Sequence, residues 1–246
     1  MEYQKLTYNS WNDFKSQIAT DLCRQSLFPS KQFIFRGQRN AAWPLKSSFD
    51  RMFEQLTFAT RNRIEHSLNG YFRENCIELI EDTSFEEYDD SQLLTLAQHY
   101  GLPTRLLDWS YSIYVAAFFA FAHNKNDNSD YIAIWVIDTN HEIWNADYGV
   151  DIITSRIKEN TYQKNQKGIF TKNNSPAITL EEYVKSCEAR CDTHGALTRI
   201  TIPFEERNSV LSDLEMMGIN HMRLFSGFEG CAQSAIVKAF VDHNLT

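Results

Sequence analysis

Arg36 stands at the end of Phe33-Ile34-Phe35-Arg36-Gly37-Gln38-Arg39, where an apolar, β-rich segment runs into an arginine followed by a glycine. A guanidinium at a strand end is a planar, permanently charged fork. A glycine beside it lets ligand backbone or phosphate come close, so Arg36 and Gly37 suit a clamp for a carboxylate or a phosphate. A second concentration of polar groups is Gln98-His99-Tyr100-Gly101-Leu102-Pro103-Thr104-Arg105-Leu106-Leu107-Asp108-Trp109-Ser110-Tyr111-Ser112. It gathers His, Tyr, Thr, Arg, Asp, Trp and two Ser between a helix stop and an apolar helix, so the backbone is tied down on both sides, as a preorganised site requires. Plainer structural roles exist for all of them. Arg36 would pin its strand through a buried carboxylate, Arg105 would pair with Asp108, His99 would hydrogen-bond a carbonyl, and Asp108, Ser110 or Ser112 would cap the following helix.

Cys187, Cys191 and His194 are spaced to share one helix face and so suggest a metal site. No fourth ligand is evident, and zinc spacings usually come as two close pairs, so two core thiols and a surface histidine are the better reading and no metal is expected. The chain lacks Gly-x-Gly-x-x-Gly after a strand, Gly-x4-Gly-Lys-Ser/Thr, His-Glu-x-x-His and Gly-x-Ser-x-Gly. Rossmann dehydrogenases, P-loop NTPases, zincins and α/β-hydrolases are therefore poor matches.

These residues need elements to hold them. Leu93, Leu96, Ala97 and Tyr100 have helical spacing, with Gly101 and Pro103 as the stop, which puts Gln98 and His99 at the helix end. The run from Ile113 to Ala122 is apolar all round and predicts a helix buried at the centre of the fold. Phe204 to Met217 predicts an amphipathic helix between Pro203 and Gly218, and Gly230 to Phe240 a last one. Strands are expected over Gln32–Phe35, Tyr131–Ile137 and Ala196–Ile202, where β-branched and aromatic residues cluster. Thr161 to Ser175 is polar and aperiodic and predicts a long loop. Helices and strands mix without a steady βαβ alternation, which favours an α+β fold with a mixed or antiparallel sheet flanked by helices.

The chain has 246 residues, 43% hydrophobic and 23% charged, long enough for a large core and ordinary for a globular protein. Its 9 glycines and 5 prolines are scattered, so no linker divides it and a single domain over 1–246 is expected. The ten-residue apolar run is half of what a bilayer span needs. The start, Met-Glu-Tyr-Gln-Lys-Leu, is not a signal peptide, so a cytoplasmic protein with free thiols is expected. A net charge of −8 disfavours a nucleic-acid partner held through phosphates.

Phe35-Arg36-Gly37-Gln38, followed by Leu96-Ala97-Gln98-His99-Tyr100-Gly101-Leu102-Pro103-Thr104-Arg105-Leu106-Leu107-Asp108-Trp109-Ser110, closely resembles the FRG domain family, named for its Phe/Tyr-Arg-Gly motif. Asn165-Gln166-Lys167-Gly168-Ile169-Phe170 is similar to that family's Gln-x-Gly-x-Phe element. Leu224-Phe225-Ser226-Gly227-Phe228-Glu229-Gly230 is similar to its closing Leu-Phe-Pro-Asp-Leu-Asp-Gly, with Ser226-Gly227 for Pro-Asp and Glu229 for Asp. The motifs keep the family's order and span about 33–235. The resemblance implies a domain common in bacteria and phages whose name carries no activity of its own.

A more distant likeness is to ADP-ribosyltransferases. Arg36 on an early strand, then Ser110 and Ser112 running into Val115-Ala116-Ala117-Phe118-Phe119-Ala120, then Glu229, are similar in order to the Arg, Ser and Glu of those enzymes. That likeness implies an ADP-ribosyltransferase-like fold and NAD as substrate, in an intracellular toxin or phage-defence effector acting on a protein acceptor or on water. Arg36 would hold the ribose or pyrophosphate, Ser110 the nicotinamide ribose, and Tyr100 or Trp109 would stack on the nicotinamide. Glu229 or Asp108 would be the acidic member. Gly37, Gln38, Gln98, Thr104, Arg105 and Gln166 complete the expected ligand-binding set. The alternative is a module that binds a nucleotide, another anionic ligand or a protein partner through Arg36, His99 and Arg105 without turnover. A nuclease or phosphodiesterase using His99 as base ranks third, because no carboxylate cluster for a metal is evident.

Overall fold

The computed structural model describes residues 3–22, 32–79, 88–122, 129–154, 168–225 and 227–243, and at Glu229 the backbone alone. Strand β4 (Tyr131–Asp138) is rich in β-branched and aromatic residues, and every residue from Ile132 to Ile137 is buried. A strand buried on both faces belongs at the middle of a covered sheet. The sheet has seven strands in the order β1-β7-β4-β2-β3-β6-β5. They are β1 (Gln4–Thr7), β2 (Phe33–Gln38), β3 (Leu106–Ser110), β4, β5 (Val150–Thr154), β6 (Gly168–Asn173) and β7 (Leu197–Pro203). β1 runs parallel to β7 and all other neighbours are antiparallel, so the architecture is α+β with a mixed sheet flanked by helices.

The two-residue period of the strands divides the core in two. Ile132, Ile134 and Val136 join Phe35, Ile200 and Ile202 on one face, while Ala133, Trp135 and Ile137 join Ile34 and Leu197 on the other. The first face is covered by α5 (Ile113–Phe121), by α1 (Trp11–Leu22) through Trp11, Phe14 and Ile18, and by α7 (Arg207–Met216) through Val210, Leu211 and Leu214. Helix α5 is apolar all round because it lies between the sheet and α7. Of the three candidate caps, Ser112 takes the position, its side chain accepting from the Val115 N–H. The second face is covered by α6 (Leu180–Cys187), whose Thr179 and Glu182 form a capping box.

β2 pairs with β4 along its whole length but with β3 only where Phe35 faces Ser110. β3 pairs along its whole length with β6 instead. Beyond Phe35 the two halves of the sheet part. Around that parting lie α4 (Asp90–His99), seated on β3 and β6 through Leu94, Leu106 and Phe170, and α2 (Ser48–Met52). Helix α2 is capped by Ser47 and followed by α3 (Phe58–Leu79), whose buried Arg61 donates to Asp50 Oδ1 at 2.6 Å and to the Pro176 carbonyl at 2.7 Å. The chain closes with α8 (His221–Leu224) and α9 (Phe228–Asp242).

Several expectations need correction. Leu106 to Ser110, read as a site segment with candidate caps, is a strand, because its partner β6 lies within the stretch expected to be a loop. Only 161–167 of that expected loop falls outside the described residues. Phe204–Glu206 is a 3-10 turn that precedes α7, and the last helix starts at Phe228 rather than Gly230. The expected strands Tyr131–Ile137 and Ala196–Ile202 correspond to β4 and β7. Among the described residues no helix is long and apolar enough to cross a membrane.

Candidate functional site

The parting of β2 from β3 opens a cavity of about 1120 Å³. Arg36 and Asp108 lie on its floor. Past Phe35 the ladder between the strands stops, and Arg36 Nη1 instead donates to the Asp108 carbonyl at 2.8 Å, with Asp108 Oδ2 at 3.7 Å. The Arg36 Nε is buried and has no hydrogen-bond partner among the described residues. Burial pushes the Arg36 guanidinium below its ordinary range, Asp108 opposes this, and the charge of Arg51 adds to it. The Asp108 side chain is 61% exposed, but into the concave interior of the cleft, where protein replaces most of the surrounding water. That loss of water pushes its carboxyl above the usual range, against the opposing charge of Arg36 and the hydrogen bonds of its own backbone N–H and Gln98.

The end of α4 sets the orientation of Asp108. Gly101, at φ 86°, reverses the chain, so that its N–H reaches the Gln98 carbonyl and the Leu102 N–H reaches that of Ala97. This glycine-stopped helix end leads Thr104 back past Gln98. The Thr104 hydroxyl accepts from the Leu106 N–H at 3.3 Å, which directs its own proton to Gln98 Oε1 at 2.6 Å. With its carbonyl so fixed, the Gln98 amide presents Nε2 to Asp108 Oδ1 at 2.8 Å. Thr104→Val keeps the volume and removes the hydroxyl. It is expected to cost about 1–2 kcal/mol of stability, read as a lower denaturation midpoint. The same substitution frees Gln98 and, through it, the Asp108 carboxylate.

A wall of the cavity comes from the residues between β2 and α3. Arg39, Trp43, Pro44, Lys46, Arg51 and Glu54 all line it. Gln38 anchors the start of this segment, accepting from Trp135 Nε1 at 2.7 Å and donating to the Pro44 carbonyl at 3.2 Å. Leu45 is gripped both ways by the start of α6, its N–H on the Glu181 carboxylate and its carbonyl accepting from the Leu180 N–H. The aromatic and aliphatic lining is Phe35, Val115, Ala116, Phe119, Phe170 and Phe225. Four cations thus share the cavity with two carboxylates, in a chain whose net charge is −8.

Most of the expected site meets here: Arg36, Gly37, Gln38, Gln98, His99, Asp108 and Ser110 all line the cavity. Ser110 Oγ accepts from the Ser112 N–H at 3.1 Å and borders the parting itself. Thr104 lies behind Gln98 and acts through it. Three expectations fail. Arg105 is 2% exposed and bound to Glu65 Oε2 at 3.0 Å and Asn62 Oδ1 at 2.7 Å, so it ties β3 to α3, lies off the cavity lining and does not pair with Asp108. Trp109 borders the cavity, but its indole is 3% exposed in the second core and donates to Thr171 Oγ1, so it has no face to offer. Tyr100 is 73% exposed at the end of α4, edge-on to His99 and off the cavity wall. Gln166 lies outside the described residues. The backbone of Glu229 is in the first turn of α9, four residues after Phe225. α6 ends at Cys187, so Cys191 and His194 do not continue its face. Among the described residues no three His, Cys, Asp or Glu side chains gather as metal ligands.

The reading from sequence missed Arg39, Lys46, Arg51 and Glu54. A signal was present: residues 36–51 hold four of the chain's 24 Lys and Arg and a single acidic residue, Asp50, against the charge balance of the whole.

Fold and site together define an α+β protein with a cationic, aromatic-lined cleft where its sheet parts. Residues 31–129 match the FRG domain family, a stretch that includes Arg36, Gly37 and the Gln98–Ser110 segment. No curated protein and no solved structure matches the chain.

Proposed function

We propose that the cleft binds a dinucleotide of the NAD type and that the chain breaks the bond between nicotinamide and ribose, as an ADP-ribosyltransferase or an NAD glycohydrolase. The observation that carries this reading is the pairing of Arg36 with Asp108 on the floor of a cavity lined by cations and aromatic rings. A nucleotide needs both kinds of lining, for its phosphates and for its rings. Arg36 has a buried N–H to spare for a ribose or phosphate oxygen. Phe119 and Phe225 offer the apolar contact first assigned to Trp109 and Tyr100. In the reaction the C1′–N bond breaks and its electron pair leaves with nicotinamide. Water or an acceptor side chain then bonds to C1′ and gives up a proton. A fixed carboxylate helps most where positive charge develops on the ribose, and Asp108 is the cavity carboxylate beside Arg36, with Glu229 as the second candidate. Such chemistry suits an intracellular toxin or a phage-defence effector.

Calorimetry with NAD, alongside nicotinamide release, tests this. The expected result is binding by the wild type and by Asp108→Asn within a few-fold, with release lost in Asp108→Asn. Glu229→Gln in parallel decides between the two acids. No heat and no release from the wild type would end the reading. The engagement of Asp108, with Oδ1 on Gln98 and Oδ2 near Arg36, favours a second reading, a nucleotide-binding module without turnover. It predicts binding in all three proteins and release in none.

A further inference from the structure

We infer that Arg39, Lys46 and Arg51 form a diphosphate-binding subsite, separate from Arg36, so that the ligand of this cleft carries at least two linked phosphates. The inference deepens the nucleotide reading and rests on it for the rest of the ligand. The three cations come from one segment and line one cavity. Lys46 Nζ pairs with Glu54 Oε1 at 2.7 Å. Arg51 donates Nη1 to the Lys46 carbonyl at 2.7 Å and has no ion pair among the described residues. Its charge reaches Arg36, whose guanidinium it helps to push below the ordinary range. The Arg39 guanidinium lies over the Trp43 ring, 4.9 Å from its centroid, which fixes the plane of its fork.

The segment that carries these groups is tied to the rest of the fold at several points. Gln38 ties its start to Trp135 and Pro44, Glu181 grips Leu45, and the Ser47 hydroxyl donates to Asp50 Oδ2 at 2.7 Å while Arg61 holds Oδ1. Three cations preorganised by a buried scaffold, with Glu54 paired to Lys46, are complementary to an anion carrying more charge than a carboxylate. A single phosphate would engage one or two of them. A diphosphate carries the charge and the length for the set. Glu54 sets the threshold, because an incoming anion must draw Lys46 away from it.

The probe is inorganic pyrophosphate, titrated into the full chain at low salt, with orthophosphate and adenosine beside it. The wild type is expected to bind pyrophosphate more tightly than orthophosphate. The double variant Lys46→Ala, Arg51→Ala should lose about 100-fold, near tenfold for each charged contact. Glu54→Gln should tighten binding several-fold, a gain that a misfolded variant does not produce. Adenosine binding should be the same in all proteins. Absence of pyrophosphate binding by the wild type, or equal binding by the double variant, would overturn the subsite. Pyrophosphate binding with the expected variant pattern but no nicotinamide release would leave the subsite standing and remove the NAD chemistry.

Discussion

Arg36→Ala is expected to abolish turnover and to weaken nucleotide binding about 10- to 150-fold, the equivalent of roughly 1.5–3 kcal/mol for a charge-assisted hydrogen bond. Two functions of the side chain are lost together. Its buried Nε and its charge are no longer available to the ligand, and its Nη1 no longer spans the parting of β2 from β3 to the Asp108 carbonyl. The second loss alone is worth about 1 kcal/mol, so the protein should still fold. Arg36→Lys keeps the charge without the planar fork and should fall between alanine and the wild type. A second readout follows the carboxyl of Asp108. Burial raises its pKa and Arg36 opposes that rise, so removing Arg36 should move the titration of Asp108 to still higher pH, visible in the carboxyl carbon resonance. Nucleotide binding equal to the wild type in Arg36→Ala would refute the assignment of Arg36 to the ligand.

Gly37→Ala should be the most damaging of the glycine-to-alanine changes among the described residues. A Cβ at Gly37 would sit 1.9 Å from the Ala116 carbonyl oxygen and 2.8 Å from the Ala120 N, both of them backbone of α5. No side-chain rotamer relieves such a contact. Helix α5 must instead lift off β2 by an ångström or more. It is held between the sheet and α7, with Ala116, Ala117 and Ala120 buried against their neighbours, so the shift spreads through the first core. Overpacking of this kind costs about 3 kcal/mol or more, and at this chain length that lowers Tm by about 6–12 °C. Because Val115, Ala116 and Phe119 also line the cavity, the same displacement should impair ligand binding beyond the loss of stability. Thermal unfolding within 1 °C of the wild type would show that α5 does not press on β2 this closely. From sequence, the glycine of the Phe-Arg-Gly motif suits a close approach by a ligand. In the structure the room is taken by a helix backbone.

Elements carried by local patterning could be read from the chain. β4 and β7 are dense in β-branched and aromatic residues, α5 is an unbroken apolar run behind a serine cap, and α4 ends in Gly101. Each signal lies within the segment it describes. The missed elements depend on partners distant in sequence. β3 is five residues with a polar Asp108 at its middle, and it is a strand because β6, some sixty residues on, pairs along its whole length. β1 has four residues and no fully buried side chain, and takes its conformation from β7 nearly two hundred residues away. Helix α3 has Arg61 as its buried residue, so no apolar stripe announces it.

The site divides in the same way. Arg36, Gln98, His99, Asp108 and Ser110 were recognisable because they sit in two short, unusual segments whose residue types and order resemble the FRG domain, to which residues 31–129 match. Nothing local distinguishes Arg105 from Arg36, since both are arginines beside apolar strand residues. Tertiary structure separates them. Glu65 and Asn62 of α3 enclose Arg105, whereas Arg36 faces the gap where two strands cease to pair. Trp109 and Tyr100 were exchanged for the same reason. Alternation along β3 turns the indole into the second core, and Phe119 and Phe225, from α5 and the end of α8, supply the aromatic wall. The sequence by itself determined the elements with a strong hydrophobic period, the resemblance to the FRG family, and the two polar segments that border the cavity. Which side chains meet in one cavity, and the cationic wall of Arg39, Lys46 and Arg51, were decided by the parting of the sheet, because a cavity exists only where distant segments fail to close on one another.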